Sequence, residues 1–364
     1  MTFPFGSERI IRQKKTTGEQ LMKIGLVGYQ GSGKSTLFQW LVGRSPEPDG
    51  RQVAQATAAI PEPRVEALCQ IYHPKKVTYA SLEIVDTPGL SRDQTGNVSR
   101  LGHLREADYL VCVVPVFDGS DVKKEMDAFV EEMVFADLEI AVNRLEKIHE
   151  QQKRHLPKDQ LEKLAVEEAI LQKIKTGLEE GHPIKADQMS AEEYKATRSF
   201  RFLTEKNRMI LVNTGDDETD HASYEKFSTD DVPVRAVSVG LEVELAQMAP
   251  EERREFLDEM GIPSTSREKF IRMLMDFSGQ MVFLTAGEKE VRTWLMRKNG
   301  TAIEAAGCIH TDFIKKFIRA EVVSCDDLVR LGSEREVKAQ GLNHREHKDY
   351  VVQEGDVLLF HISQ

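Results

Sequence analysis

The chain of 364 residues is poor in several things, and each shortage excludes a class of protein. It has four cysteines, Cys69, Cys112, Cys308 and Cys325, with neither a CxxC pair nor a histidine partner at zinc-ligand spacing. That pattern argues for reduced cytosolic thiols rather than disulfides or zinc, and places the expected location in the cytoplasm. No run of 18 or more apolar residues occurs, so no membrane-spanning helix is expected. The first twenty residues are polar, carry Arg12, Lys14 and Lys15, and lack the apolar core of a secretion signal; they read as a flexible tail. Positive charge is also short. A formal net charge of −11 argues against indiscriminate coating of DNA or RNA, while leaving room for a local basic patch. With 40% hydrophobic and 30% charged residues, the composition is that of a soluble globular protein, and a length of 364 residues implies two or three domains.

Against these absences one stretch is conspicuous: Lys23-Ile24-Gly25-Leu26-Val27-Gly28-Tyr29-Gln30-Gly31-Ser32-Gly33-Lys34-Ser35-Thr36. An apolar run, read as a buried strand, breaks at Gly28. Gly33 through Thr36 then opens an amphipathic stretch with Leu37, Phe38, Trp40 and Leu41. Gly28-x-x-x-x-Gly33-Lys34-Ser35 is the phosphate-binding P-loop in its strand–turn–helix context. Gly28, Gly31, Ser32 and Gly33 would wrap backbone N–H groups around phosphate oxygens, aided by the positive helix N-terminus. Lys34 would reach the β- and γ-phosphates, Ser35 would ligate Mg²⁺, and Thr36 would follow in the first helical turn.

Further groups complete a nucleotide site. The strand Ala80–Val85 ends in Asp86-Thr87-Pro88-Gly89, about 50 residues after Lys34. Asp86 suits a second Mg²⁺ position, and the Gly89 N–H suits the γ-phosphate. Next comes Leu90, where many P-loop hydrolases carry the glutamine that orients the attacking water; an apolar side chain cannot do so. After the strand Met209–Val212, Asn213 would brace the P-loop and Asp216 would read a purine edge. Ser238-Val239 offers a second base-contact loop. Thr57 is the one threonine between Gly43 and Ala59 available as a further Mg²⁺ ligand, in the segment expected to hold a mobile γ-phosphate loop.

Strands alternating with helices predict a mostly parallel sheet with helices on both faces. From Asp121 to Lys206 the pattern is almost wholly helical: Leu138, Ala141, Val142, Leu145 and Ile148 keep helical spacing, as do Leu161, Leu164, Ile170, Leu171 and Ile174. His155–Lys158 reads as the turn of an antiparallel hairpin, and Ser190-Ala191-Glu192-Glu193 as a capping box. From Gln280 a smaller unit begins, with a hairpin turn expected at Gly355-Asp356. The domains expected are a tail (1–20), a P-loop domain (21–135 and 200–278), a helical insertion (136–199) and a C-terminal unit (279–364).

Assembled, the chain resembles the YchF/Obg-like ATPase family of P-loop NTPases. The most specific residues are Phe283–Trp294, Ala305–Phe313, Phe317–Glu321 and Lys348–Asp356, which look like that family's TGS domain, a small β-grasp unit. Ser190–Glu193, Phe202–Thr204 and Glu251–Phe256 also match. The resemblance implies an α/β P-loop G domain with an inserted helical arm and a TGS domain, Mg²⁺-dependent hydrolysis of ATP or GTP, and association with the ribosome. Departures are specific. Gln30-Gly31-Ser32 replaces Pro-Asn-Val, and because that Asn helps hold K⁺ in related enzymes, Gly31 puts K⁺ stimulation in doubt. The family's Asn-Phe-Pro-Phe-Cys-Thr segment is missing near Thr57. Asn213-x-x-Asp216 replaces Asn-x-x-Glu, nearer the guanine-reading pattern but without its lysine, and Lys316 replaces a Gly. Two functions follow as expectations: a nucleotide switch that hydrolyses the β–γ bond, or a nucleotide-gated binding module with negligible turnover. A P-loop small-molecule kinase fits less well, because no arginine-rich lid is evident. The basic residues Arg297, Lys298, Lys315, Lys316 and Arg319 are the expected RNA-facing set.

Overall fold

The computed structural model describes residues 21–43, 53–154, 156–185, 188–262 and 265–363. The expected tail (1–20), the loop at 44–50 and His155 of the expected turn lie outside them. In chain order the first elements are β1 (Met22–Val27), α1 (Lys34–Val42), β2 (Ala54–Ala59), α2 (Arg64–Tyr72), β3 (Val77–Thr78), β4 (Ser81–Asp86), α3 (Asn97–Gly102) and β5 (Tyr109–Pro115). Three helices follow, α4 (Val122–Gln152), α5 (Lys158–Glu179) and α6 (Ala191–Thr197), then β6 (Arg208–Asn213), β7 (Val234–Val237), α7 (Val239–Leu245), α8 (Pro250–Met260) and α9 (Arg267–Phe277). The last part holds β8 (Gln280–Thr285), β9 (Val291–Arg297), α10 (Ala302–Ile309), α11 (Thr311–Lys316), β10 (Phe317–Ser324), α12 (Cys325–Leu331), α13 (Glu334–Ala339), β11 (His344–Glu346) and β12 (Asp356–Ile362). Among the described residues no helix is long and apolar enough to cross a membrane, and the four cysteines are free thiols.

The larger compact unit comprises Met22–Ile60 and Ser81–Ser278. Its sheet has the order β2-β4-β1-β5-β6-β7, parallel throughout except for β2, which runs antiparallel to β4 at the edge. The near-continuous apolar runs of β1 and β5 have this physical reason: helices cover both faces, and every residue of β5 is buried. Register aligns the strand ends that carry chemistry. Leu26 lies opposite Asp86 on one side and Val111 on the other, and Pro115 lies opposite Asn213. The segments following β1, β4, β6 and β7 therefore emerge at one edge, where open parallel sheets bind ligands.

One long helix serves both this sheet and the helical arm. Asp121 caps α4 by accepting a hydrogen bond from the Lys124 N–H at 2.9 Å. In its first half Phe129, Met133 and Ala136 pack with Cys112, Val114, Ile210 and Val212 of the sheet. Further along, Leu145 and Ile148 join Leu171 and Leu178 of α5 in a separate apolar cluster. Ser190 and Glu193 form the expected capping box at the start of α6.

The smaller unit is built from Pro61–Ala80 together with the chain from Gly279 onward. Its sheet has the order β11-β10-β12-β8-β9-β3, with α10 on one apolar cluster and α2, α12 and α13 on another. Two expectations are corrected here. Residues 61–80, expected inside the P-loop domain, fold with the C-terminal sheet, because β3 pairs in parallel with β9, Val77 opposite Val291. Gly355-Asp356 is a turn, with Gly355 at φ +86°, but it does not close a hairpin between sequential neighbours. It leads into β12, which pairs with β10 and β8.

Candidate functional site

The loop from Gly28 to Gly33 joins β1 to α1. Gly33 holds φ at +92°, a left-handed conformation that L side chains rarely adopt, so glycine is the residue this corner needs. Ser32 is fully buried, and its hydroxyl has no hydrogen-bond partner among the described residues. The Lys34 ammonium donates to the Tyr29 carbonyl at 3.2 Å, inside the loop's concavity. Burial holds the Lys34 pKa below that of a free lysine, and the Asp86 carboxylate opposes that shift.

Ser35, in the first turn of α1, donates its hydroxyl hydrogen to Asp86 Oδ2 at 2.7 Å. Asp86 closes β4, and its other oxygen, Oδ1, is buried without a partner among the described residues. Burial raises the Asp86 pKa, while the Ser35 hydrogen bond and the Lys34 charge pull it down. A buried carboxylate oxygen without a donor, beside a serine hydroxyl at a P-loop, fits the oxygen ligand set of Mg²⁺. Thr36 lies one residue further, half-buried in α1. Thr57 is not part of this constellation. It is an exposed residue of β2 opposite Glu83, three residues along the strand from Ala54, which faces Asp86. At ~3.3 Å per residue that places it about 10 Å away along the strand. Nothing local in the sequence distinguishes such a strand residue from a loop ligand.

The turn after Asp86 is laced onto the P-loop. The Thr87 hydroxyl donates to the Leu26 carbonyl at 2.9 Å. The Leu90 N–H donates to the Gly28 carbonyl at 3.0 Å, and the Gln30 N–H donates to the Leu90 carbonyl at 2.9 Å. Gly89 lies so close that a Cβ there would meet Gln30 Cα at 2.8 Å; no other residue fits without displacing the loop. The Leu90 side chain is 1% exposed and packs with Val27, Tyr29, Leu101 and Leu104.

Sequence reasoning missed a group beside this turn. The Arg92 guanidinium lies 4.3 Å from the centroid of the Tyr29 ring and pairs with Glu125 of α4 at 2.6 Å. Burial, with Glu132 adding, pushes the Tyr29 phenol up to about 12. No sequence spacing signals this trio, since its members come from three separate elements.

On the far side of the loop Asn213 does two jobs. Its Nδ2 donates to the Ser32 carbonyl at 3.1 Å, and its Oδ1 accepts from the Val239 N–H at 3.1 Å. The Ser238 hydroxyl donates to the Gly215 carbonyl at 2.7 Å, so the Thr214 hydroxyl, 2.7 Å from it, is the donor in their contact. His221 Nε2 lies 3.2 Å from the same Thr214 oxygen, and burial lowers the His221 pKa. Asp216 is exposed, and its Oδ1 accepts from the Leu241 N–H at 3.2 Å. The structure thus brings together Gly28, Gly31, Ser32, Gly33, Lys34, Ser35, Asp86, Gly89 and Asn213 around the P-loop, with Asp216, Ser238 and Val239 beside Asn213.

A six-stranded sheet with a P-loop after β1, a carboxylate at the end of β4 and a polar turn after β6 defines a G-domain-type P-loop NTPase, here with a helical insertion and a C-terminal β-grasp unit. Comparison with known proteins carries this to a family. The model described as "50S ribosome-binding GTPase" matches residues 23–144. The YchF-type GTPase C-terminal model, described as a protein of unknown function, matches residues 281–363. The chain is 31% identical over 361 residues to the "Ribosome-binding ATPase YchF" of Haemophilus influenzae, covering 93% of this chain and 98% of that protein. It is 31% identical over 368 residues to "Obg-like ATPase 1" of Oryza sativa subsp. japonica, covering 93% and 91%. The solved structure of the Schizosaccharomyces pombe YchF GTPase superposes with a TM-score of 0.76 at 27% identity, covering 95% of this chain and 99% of that one. The chain belongs to the YchF/Obg-like ATPase family.

Proposed function

We propose that the protein is a Mg²⁺-dependent purine nucleotide hydrolase that works as a ribosome-associated switch. The observation that carries this reading is the Ser35–Asp86 hydrogen bond of 2.7 Å beside an unpartnered Asp86 oxygen. It supports a divalent ion held by Ser35 and Asp86, which would neutralise charge on the β- and γ-phosphates when bound. Lys34 would hold the same phosphates, and the Gly89 N–H would contact the γ-phosphate. Asn213, Ser238, Val239 and Asp216 would frame the base. The ribosome enters from the relatives' names, and locally from Lys315 and Lys316 in the last turn of α11. Arg297 contributes less to such a patch, since Glu304 already holds it at 2.6 Å.

The test measures Mg²⁺-dependent phosphate release from ATP and from GTP, with and without ribosomes. Release above background is expected, and Lys34→Ala should abolish it. No release under any condition, with nucleotide still bound, would select the second reading, a nucleotide-gated binding module. One feature favours that second reading: the buried, doubly hydrogen-bonded Leu90 has no group to orient water. Titrating both nucleotides against the wild type and Asp216→Glu addresses the base. GTP preference in the wild type, weakened in the variant, is expected if Asp216 reads guanine.

A further inference from the structure

Leu90 leaves the attacking water without its usual carboxamide, and most polar side chains around Gly89 are already committed elsewhere. The Thr87 hydroxyl is committed to the Leu26 carbonyl. Ser91 Oγ donates to Asp93. Arg92 is held between Glu125 and the Tyr29 ring. The Ser32 hydroxyl is buried within the loop. Gln30 differs from all of these. It is exposed, and its carboxamide has no hydrogen-bond partner among the described residues. Its backbone is pinned by the N–H bond to the Leu90 carbonyl. Its Cγ lies 3.0 Å from where a Cβ of Gly89 would stand. The carboxamide, one bond beyond Cγ, therefore starts beside Gly89, the residue whose N–H suits the γ-phosphate.

We infer that Gln30 supplies from the P-loop the water-orienting carboxamide that Leu90 lacks; the inference rests on the hydrolytic reading above. A carboxamide both accepts and donates. Its oxygen accepts a hydrogen from the attacking water, and its NH₂ donates to a γ-phosphate oxygen, aligning the water with phosphorus. The water oxygen bonds to the γ-phosphorus as the bridging P–O bond breaks, and the nucleoside diphosphate leaves with that electron pair. Both water protons depart with the phosphate as H₂PO₄⁻, so Gln30 orients and is not itself protonated. The usual division of labour is reversed: the switch residue gives only backbone hydrogen bonds, and the loop gives the side chain.

The experiment compares wild type, Gln30→Ala and Gln30→Asn in single-turnover hydrolysis of ATP and GTP, alone and with ribosomes. The same proteins are tested for binding of a non-hydrolysable triphosphate and of the diphosphate with aluminium fluoride, a mimic of the transferring phosphoryl group. Gln30→Ala should slow the chemical step about ten-fold or more, with triphosphate affinity changed less than two-fold and aluminium fluoride trapping weakened in step with the rate. Gln30→Asn should fall between. Unchanged or faster hydrolysis in Gln30→Ala would overturn the inference while leaving the hydrolytic reading standing. A wild type that binds nucleotide but releases no phosphate would remove both. Equal losses in triphosphate binding and rate would show Gln30 to be a structural part of the loop, and that too would overturn the inference.

Discussion

Asn213 shows how much one side chain decides at this site. Its amide is the bridge between the P-loop, through the Ser32 carbonyl, and the base-side helix α7, through the Val239 N–H. Both partners are buried, so removing the amide leaves two backbone groups unsatisfied, each at a cost of about 1–3 kcal/mol. Asn213→Ala should therefore lower unfolding stability by at least ~1 kcal/mol and weaken nucleotide binding, even though Lys34 and Ser35 remain. Denaturant titration together with nucleotide titration checks this. Unchanged affinity would show that α1 and α7 hold the loop without the bridge. Asn213 was legible in the sequence because a polar residue at a strand end is a local signal. Its second partner was not, since Val239 lies 26 residues away and is chosen by the register of β6 against β7.

At the scale of elements, α4 is the member that joins sheet to arm, and Asp137 is its fulcrum. The carboxylate is fully buried. It accepts from Arg105 at 2.8 Å, from the Leu203 and Thr204 N–H groups at 3.0 and 2.8 Å, and from the Thr204 hydroxyl at 2.9 Å. The returning chain before β6 is thus tied to the helix that left the sheet at β5. Truncating one partner of a buried ion pair strands the other charge, so Asp137→Ala should destabilise the larger unit by about 3–5 kcal/mol. Hydrogen exchange should show faster exchange at residues 203–204 and in the first half of α4. A loss confined to α5 and α6 would contradict the fulcrum role. Helical spacing identified the arm; the role of Asp137, one acidic residue in a helix dense with charge, is visible only once Arg105 and Thr204 are seen around it.

For the molecule as a whole, the two units carry separate expectations. The proposed phosphate chemistry belongs to the larger one, and the proposed RNA contact to the smaller. If Lys315 and Lys316 neutralise RNA phosphates, cosedimentation with ribosomes should weaken with salt, and Lys315→Glu/Lys316→Glu should weaken it further and flatten the salt dependence. Nucleotide hydrolysis without ribosomes should stay at the wild-type level in that double variant. Salt-independent cosedimentation, or none lost in the variant, would place the contact elsewhere.

The amino-acid sequence alone determined the P-loop, the strand-end carboxylate, the helical arm and the family likeness, because each is written in adjacent residues or in a short period. The P-loop in particular needs only a strand, a glycine turn and a helix start, all within Lys23–Thr36. Tertiary structure decided the remainder. Residues 61–80 join the C-terminal sheet through Val77 and Val291, a pairing across more than two hundred positions that no local pattern announces. Thr57 became a strand residue, because edge pairing with Glu83 outweighs the weak preferences of its own segment. Leu90 is buried as packing, while Gln30 is left exposed beside Gly89. Local motifs require only neighbours along the chain; contacts between distant segments depend on which surfaces the whole fold buries, and that is settled only when every element competes for the same core.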